Sequence, residues 1–274
     1  MNSIDYKHSH QVCSKITQHY SKSFYYLFRF LPEAKRQALY ATHAFTMITT
    51  HGMKNTHTPG QKQMHFKKCE DIIKRAYKHD RKYFNHAIEP ALEQAISRYE
   101  IPEKFFNDFL TGVHLSEYFK QPLEEINLIE YCHYAKGCIT QIYSMILAHD
   151  QVPLHEADSL GIALELSRIA AQINLDQKAN KTYVPQTWLE NGQVTSKTLD
   201  KVVQTAENFN AVAWRGINLL EKDGSQYAAT VVSLTTARIL RKIKNKGSAV
   251  LEKTQQLTFF EKMLILPKSL SCKP

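Results

Sequence analysis

A chain of 274 residues with 43% hydrophobic content has apolar mass for one large domain or two small ones. Its 9 glycines and 9 prolines argue against a turn-rich β-sandwich and against disorder. A net charge of +9 and a pI near 9.2 favour anionic partners (diphosphates, acidic lipid surfaces or nucleic acid) without choosing among them.

The N-terminus, MNSIDYKHSHQ, is polar and lacks the apolar core of a secretory signal. No apolar run approaches the ~20 residues a spanning helix needs. The expected location is the cytoplasm, with peripheral contact to a membrane as the further option. The five cysteines, Cys13, Cys69, Cys132, Cys138 and Cys272, are odd in number and form no C-x-x-C pair. They read as reduced thiols, not as a disulfide framework or a zinc site.

Val12, Ile16 and Tyr20, four apart, predict a first helix over 8–20. The run Ser21-Lys22-Ser23-Phe24 follows, and Pro32 suits the first turn of the next helix, where Ala34, Ala38, Ala41, Phe45 and Ile48 form an apolar face. Residues 51–68 carry the Gly, Pro, Asn and Thr of a mobile loop. His51, His57 and His65 lie there at spacings that fit no standard metal site, so ordinary surface histidines are the expectation. Helices are predicted over 69–80, 86–99, 103–117, 127–147, 196–223 and 225–246. Arg238, Arg241, Lys242, Lys244 and Lys246 cluster in the last one, as a solvated face or as a contact for an acidic membrane or a protein. No repeat, low-complexity tract or Pro/Gly-rich linker divides the chain, so 1–274 reads as one all-α domain.

The stretch from Leu160 to Pro185, LGIALELSRIAAQINLDQKANKTYVP, predicts a long helix, a polar break and a Tyr-Val-Pro stop. Glu165, Arg168, Gln172 and Asp176 are spaced 3, 4 and 4 apart and share one helical face. Such a stripe is either a solvated surface or the lining of an internal polar cavity.

This stretch resembles the second aspartate-rich motif of the squalene/phytoene synthase family, the head-to-head prenyl transferases, whose pattern runs approximately A-x-Q-L-T-N-I-L-R-D-V-x-E-D and then R-x-Y-L-P. Ala163, Leu166, Ile169, Asp176, Tyr183 and Pro185 match. Glu165 stands for the family's Gln, Arg168 for its Asn, Ala171 for its Arg and Gln172 for the first metal-binding Asp. The run SKSFYYLFRFLPEAKRQALYATHAF is similar to the family's N-terminal signature. Blocks at His86, Pro90 to Leu92, Tyr99 to Pro102 and Asn127 to Leu147 extend the resemblance over about residues 14–266.

The resemblance implies an isoprenoid-synthase-type helical bundle around a central cavity. It also implies a reaction that ionises an allylic diphosphate with magnesium held by two facing aspartate motifs. In the first motif the two ligand aspartates are replaced by Thr50 and Lys54, and a phosphate-binding Arg by Met47. Neutral Thr and cationic Lys do not substitute for two carboxylates around Mg²⁺. The degenerate positions are therefore Thr50, Lys54, Gln172 and Asp176, with Lys54 expected to pair with the surviving Asp176. Diphosphate-holding or pocket-lining roles fall by resemblance on Ser21, Lys22, Ser23, Tyr40, Glu165, Arg168, Tyr183 and Lys262. Ser21 or Ser23 as a plain helix cap is the structural alternative. Lys136 and Thr140 stand where the family keeps Ala and Gly beside the prenyl tunnel. Lys136 either polarises that wall or snorkels outward.

Two functions follow. The first is a homologue that has lost Mg-dependent chemistry, needs no cofactor, and serves as a binding or assembly-type protein for an isoprenoid, lipid or protein partner, in part at a membrane surface. The resemblance extends, by fold alone, to degenerate members that serve as respiratory-complex assembly factors. In this reading Glu165 and Arg168 form an internal ion pair in the former substrate pocket. The second is a working transferase on isoprenyl diphosphates in isoprenoid biosynthesis, with Mg²⁺ or with Lys22, Lys54, Lys136 and Arg168 gripping diphosphate directly. No nucleic-acid motif is present.

Overall fold

The computed structural model describes residues 5–148 and 151–257, and among these every long element is an α-helix. In chain order they are α1 (Tyr6–Tyr20), α2 (Lys22–Phe28), α3 (Glu33–Asn55), α4 (Pro59–Tyr77), α5 (Glu89–Arg98) and α6 (Glu103–Glu117). Next come α7 (Glu125–Cys132), a π-helical turn (His133–Gly137) and α8 (Cys138–Leu147). The chain then runs through α9 (Leu154–Lys178), α10 (Ser196–Gly216) and α11 (Ser225–Lys246).

Local sequence explains several boundaries. Asp5 caps α1 by accepting from the His8 amide at 2.8 Å. Thr58 and Gln61 form a reciprocal capping box at α4, with Pro59 at its first position. That cap corrects the expectation for 51–68. Residues 51–55 finish α3 and 59–68 begin α4, leaving only 56–58 between them. A Gly and a Pro inside the segment suggested a loop, but Pro59 stands where a helix tolerates it.

Helix α9 is the axis of the bundle. It packs against α10, α8, α11 and the π-turn. Its apolar residues are spread around its circumference, as expected of a helix enclosed on most sides. The π-turn meets α9 at two glycines. A Cβ on Gly161 would lie 2.5 Å from the Gly137 Cα and 2.5 Å from the Lys136 carbonyl oxygen, so the close crossing requires glycine there. Two apolar clusters result. One joins α1, α3, α4, α5, α6 and α8, with Phe45, Phe106, Leu39 and Ile142 fully enclosed. The other joins α7, α9 and α10, with Leu166, Ile169 and Leu199 enclosed.

A buried lysine ties three elements at one end. Lys35 Nζ pairs with Glu221 at 2.8 Å and Asp223 at 3.0 Å, and donates to the Leu147 carbonyl at 3.1 Å. An ammonium in that position is tolerated because every direction offers an acceptor.

Candidate functional site

The face of α9 that carries Glu165, Arg168, Gln172 and Asp176 holds an ionic network. Arg168 Nε donates to Glu165 Oε1 at 2.7 Å, and Arg168 Nη1 donates to Asp176 Oδ2 at 3.1 Å. The guanidinium lies over the Tyr183 ring, 4.7 Å from its centroid. Tyr183 in turn packs on Phe119 and Tyr131, with ring centroids at 4.5 and 5.3 Å. The break after α9 returns Tyr183 to this face. Lys181 anchors the return by donating to the Ser116 carbonyl at 2.8 Å.

The electrostatics follow from this packing. Burial works against the Arg168 charge, but Glu165 and Asp176 outweigh it and hold the guanidinium well above its ordinary range. Half-burial raises the Asp176 carboxyl, and Arg168 only partly offsets that. Arg168 Nη2 is enclosed and makes no hydrogen bond among the described residues.

The other expected site residues are distributed differently. Asp176 pairs with Arg168 instead of Lys54. Lys54 is exposed near the end of α3 and forms no ion pair among the described residues. An arginine on the same helix reaches the carboxylate without crossing the site, which is why it prevails. The Thr50 hydroxyl donates to the Thr46 carbonyl at 2.8 Å and so serves its own helix. Ser21 takes the N-cap position of α2 but makes no side-chain cap bond, and Lys22 and Ser23 are exposed. Tyr40 is buried with its hydroxyl donating to the Tyr25 carbonyl at 2.9 Å. It stacks on Tyr25 at 5.5 Å and clamps α2 to α3, and it does not line the cavity described below. Lys262 lies outside the described residues.

Beside the N-terminal half of α9 is a narrow apolar cavity of about 80 Å³ with an open mouth. Phe24, Leu27 and Phe28 of α2, Leu160 and Leu164 of α9, and Ile217 after α10 form its walls. Its apolar lining suits a slender stretch of hydrocarbon chain, and the volume is below that of a pocket enclosing a whole ligand. Thr140 reaches the wall, but its hydroxyl donates to the Gly137 carbonyl at 2.8 Å and presents little polarity. Lys136 is half-buried and does not line the cavity.

Sequence reasoning missed the polar group next to this cavity. His43 on α3 is buried, with Nδ1 2.5 Å from the Tyr143 hydroxyl. Burial, with a smaller contribution from Lys136, pushes the imidazole down to about 3, so it is neutral. Nothing in the spacing of α3 marks His43, which occupies an otherwise apolar helical face.

Long helices packed about a central helix, with an apolar cavity beside that helix, form the isoprenoid-synthase type of helical fold shared with the solved structures below. The squalene/phytoene synthase family profile matches residues 17–261, and the chain belongs to that family. It is 24% identical to a phytoene synthase of Arthrospira platensis, over 94% of this chain and 91% of that one. Among solved structures, a dehydrosqualene synthase crystallised with a ligand superposes with a TM-score of 0.84 at 20% identity, covering 97% of each chain. The squalene synthase HpnC of Alicyclobacillus acidocaldarius superposes at 0.79 with 17% identity, over 89% of this chain and 96% of that one.

Proposed function

We propose that this member of the family binds an isoprenoid chain in its apolar cavity and does not carry out Mg-dependent prenyl transfer, serving as a binding or assembly-type protein. One observation carries the reading: the Arg168 guanidinium spans from Glu165 to Asp176 across the position of Gln172. A cation is thus built into the face where the resemblance would seat magnesium. The four motif positions offer one carboxylate between them, and that carboxylate is already paired. A magnesium ion prefers carboxylate oxygens and near-ideal octahedral geometry, so this donor set does not fit it. Absence of preorganised charge at the departing diphosphate costs about 10²–10³-fold per group in comparable sites.

The experiment is incubation of the purified chain with farnesyl or geranylgeranyl diphosphate and Mg²⁺. The expected result is no hydrocarbon product and no diphosphate release, with binding of the prenyl chain still detectable by calorimetry. Product formation at rates typical of enzymes would overturn the reading.

A second reading, an active squalene/phytoene-type transferase, is favoured by the retained cavity and by a phytoene synthase relative covering nearly the whole chain. The same incubation separates the two.

A further inference from the structure

Two patches of large apolar side chains face solvent on this molecule. One lies where α6 leads into α7, with Leu123 at 60% and Ile126 at 67% exposure. The other is on α2 and the turn after it, with Tyr26 at 56% and Phe30 at 59%. Their charged surroundings are opposite in sign. Leu123 and Ile126 flank Glu124 and Glu125, with Glu130 a turn further on. Exposed Lys22 on α2 and Arg29 in the turn after it accompany Tyr26 and Phe30 along the chain.

The second patch continues onto neighbouring elements. Phe30 packs edge-on against Tyr227 of α11 at 5.2 Å. Gly224, at φ 106° before α11, lets that helix begin against the Phe30 carbonyl, which a Cβ would meet at 2.4 Å. On the adjoining turn Leu219 is 40% exposed, and Gln226 binds the carbonyls on either side of it, Asn218 and Leu220, at 3.3 and 2.9 Å. Exposed Lys222 extends the basic rim. Acidic groups nearby are engaged: Glu221 and Asp223 face buried Lys35, and Glu33 accepts from Gln37 at 2.9 Å.

The inner faces of these same elements line the apolar cavity through Leu27, Ile217, Leu220 and Ala228. The geometry points to this surface as a docking face for an anionic lipid bilayer, with Tyr26, Phe30 and Leu219 entering the headgroup boundary and Lys22, Arg29 and Lys222 meeting the phosphates. Aromatic rings with polar tips favour that boundary, and apolar burial combines there with attraction to anionic lipid. Each basic residue near such a surface raises binding about fivefold. In that orientation the elements that line the cavity are the ones resting on the membrane. No helix of the described residues is long and apolar enough to cross a membrane, and the contact is peripheral. Vesicle binding needs no isoprenoid, so this inference and the function proposed above fail separately.

The test is flotation of the full chain with vesicles of phosphatidylcholine alone or mixed with phosphatidylglycerol. The wild-type chain is expected on the anionic vesicles and released by salt. Tyr26→Ser with Phe30→Ser is expected to lower partitioning about tenfold, and Lys22→Glu with Arg29→Glu at least as much at low salt. Leu123→Ser with Ile126→Ser leaves it unchanged. All six positions are exposed, and circular dichroism checks that each variant stays folded. Failure of the wild-type chain to bind, or loss of binding only in the Leu123/Ile126 variant, overturns the inference. So does a dimer in sedimentation that Phe30→Ser dissolves, because a second copy would then be the occupant.

Discussion

Arg168 and Asp176 stand eight residues apart on one helix, roughly 12 Å along its axis, and are still joined by a 3.1 Å charge-assisted hydrogen bond. The guanidinium therefore lies along α9, over the ground where Gln172 projects. Its other end is held by Glu165 at 2.7 Å. This arrangement makes one arginine the counter-ion for two carboxylates.

Removing that counter-ion strands both acids. The Glu165 side chain is 5% exposed, so its charge is poorly hydrated once unpaired. Arg168→Met is expected to cost about 2–4 kcal/mol in urea unfolding, somewhat under the full range for a buried pair because the guanidinium keeps some water contact. Adding Glu165→Gln to Arg168→Met is expected to return part of the loss. An Arg168→Met chain as stable as wild type would show that the pair contributes nothing.

The same relationship predicts what builds a divalent-ion site on this face. Gln172→Asp alone places two carboxylates at i and i+4, but Arg168 still occupies Asp176. Glu165→Gln, Arg168→Asn and Gln172→Asp together free both acids toward a divalent ion. In a Mn²⁺ titration followed by water relaxation, the triple variant is expected to bind at least about tenfold tighter than Gln172→Asp. Equal affinity of the two would mean that Arg168 does not guard the site.

Two histidines give opposite pH dependences. His43 is pushed down to about 3 by burial, so in the window from pH 6.5 to 3 the unfolded chain binds a proton that the folded chain does not. Stability is lost as pH falls through that window, by about 1.4 kcal/mol per unit for one proton. His43→Phe is expected to be less stable at pH 7, because Tyr143 loses its partner, but flatter between pH 6.5 and 5. His133 is raised by its hydrogen bond to Asp158 at 2.7 Å, with Asp108 nearby. Its contribution is complete below 6.5 and is lost as pH rises through the raised value. His133→Gln is expected to destabilise more at pH 5.5 than at pH 9. Thermal midpoints of the two variants across pH decide both, and parallel profiles with wild type would refute them.

The α9 crossing supplies a packing test. Gly161→Ala drives a methyl to 2.4 Å from the Thr140 hydroxyl and to 2.5 Å from both the Gly137 Cα and the Lys136 carbonyl oxygen, and those two backbone atoms of the π-turn cannot swing aside. A loss of about 1–3 kcal/mol is expected, measured by chemical denaturation. Gly60→Ala, with open space around its Cβ position, is the control and is expected to be neutral or slightly stabilising.

The all-α character, the helix borders near Tyr20, Glu117 and Lys246, and the polar stripe on α9 were legible in the sequence, because helical periodicity and capping residues act over a few positions. The adjacency of Glu165 and Arg168 was legible for the same reason, since i and i+3 share a face. The segment 51–68 misled because Pro59 and Gly60 punctuate most sequences but fit the first turn of α4. The partner of Asp176 was misassigned to Lys54, since spacing says nothing about which of two cations reaches a carboxylate first. The burial of His43 against Tyr143, a hundred residues away, had no local signal at all. By itself the sequence determined the family and most of the helices. Only the tertiary structure decided that the Arg168 guanidinium joins Glu165 to Asp176 and that the basic aromatic patch backs onto the cavity. The second is a relation between segments distant in the chain, and both are set by packing and not by periodicity.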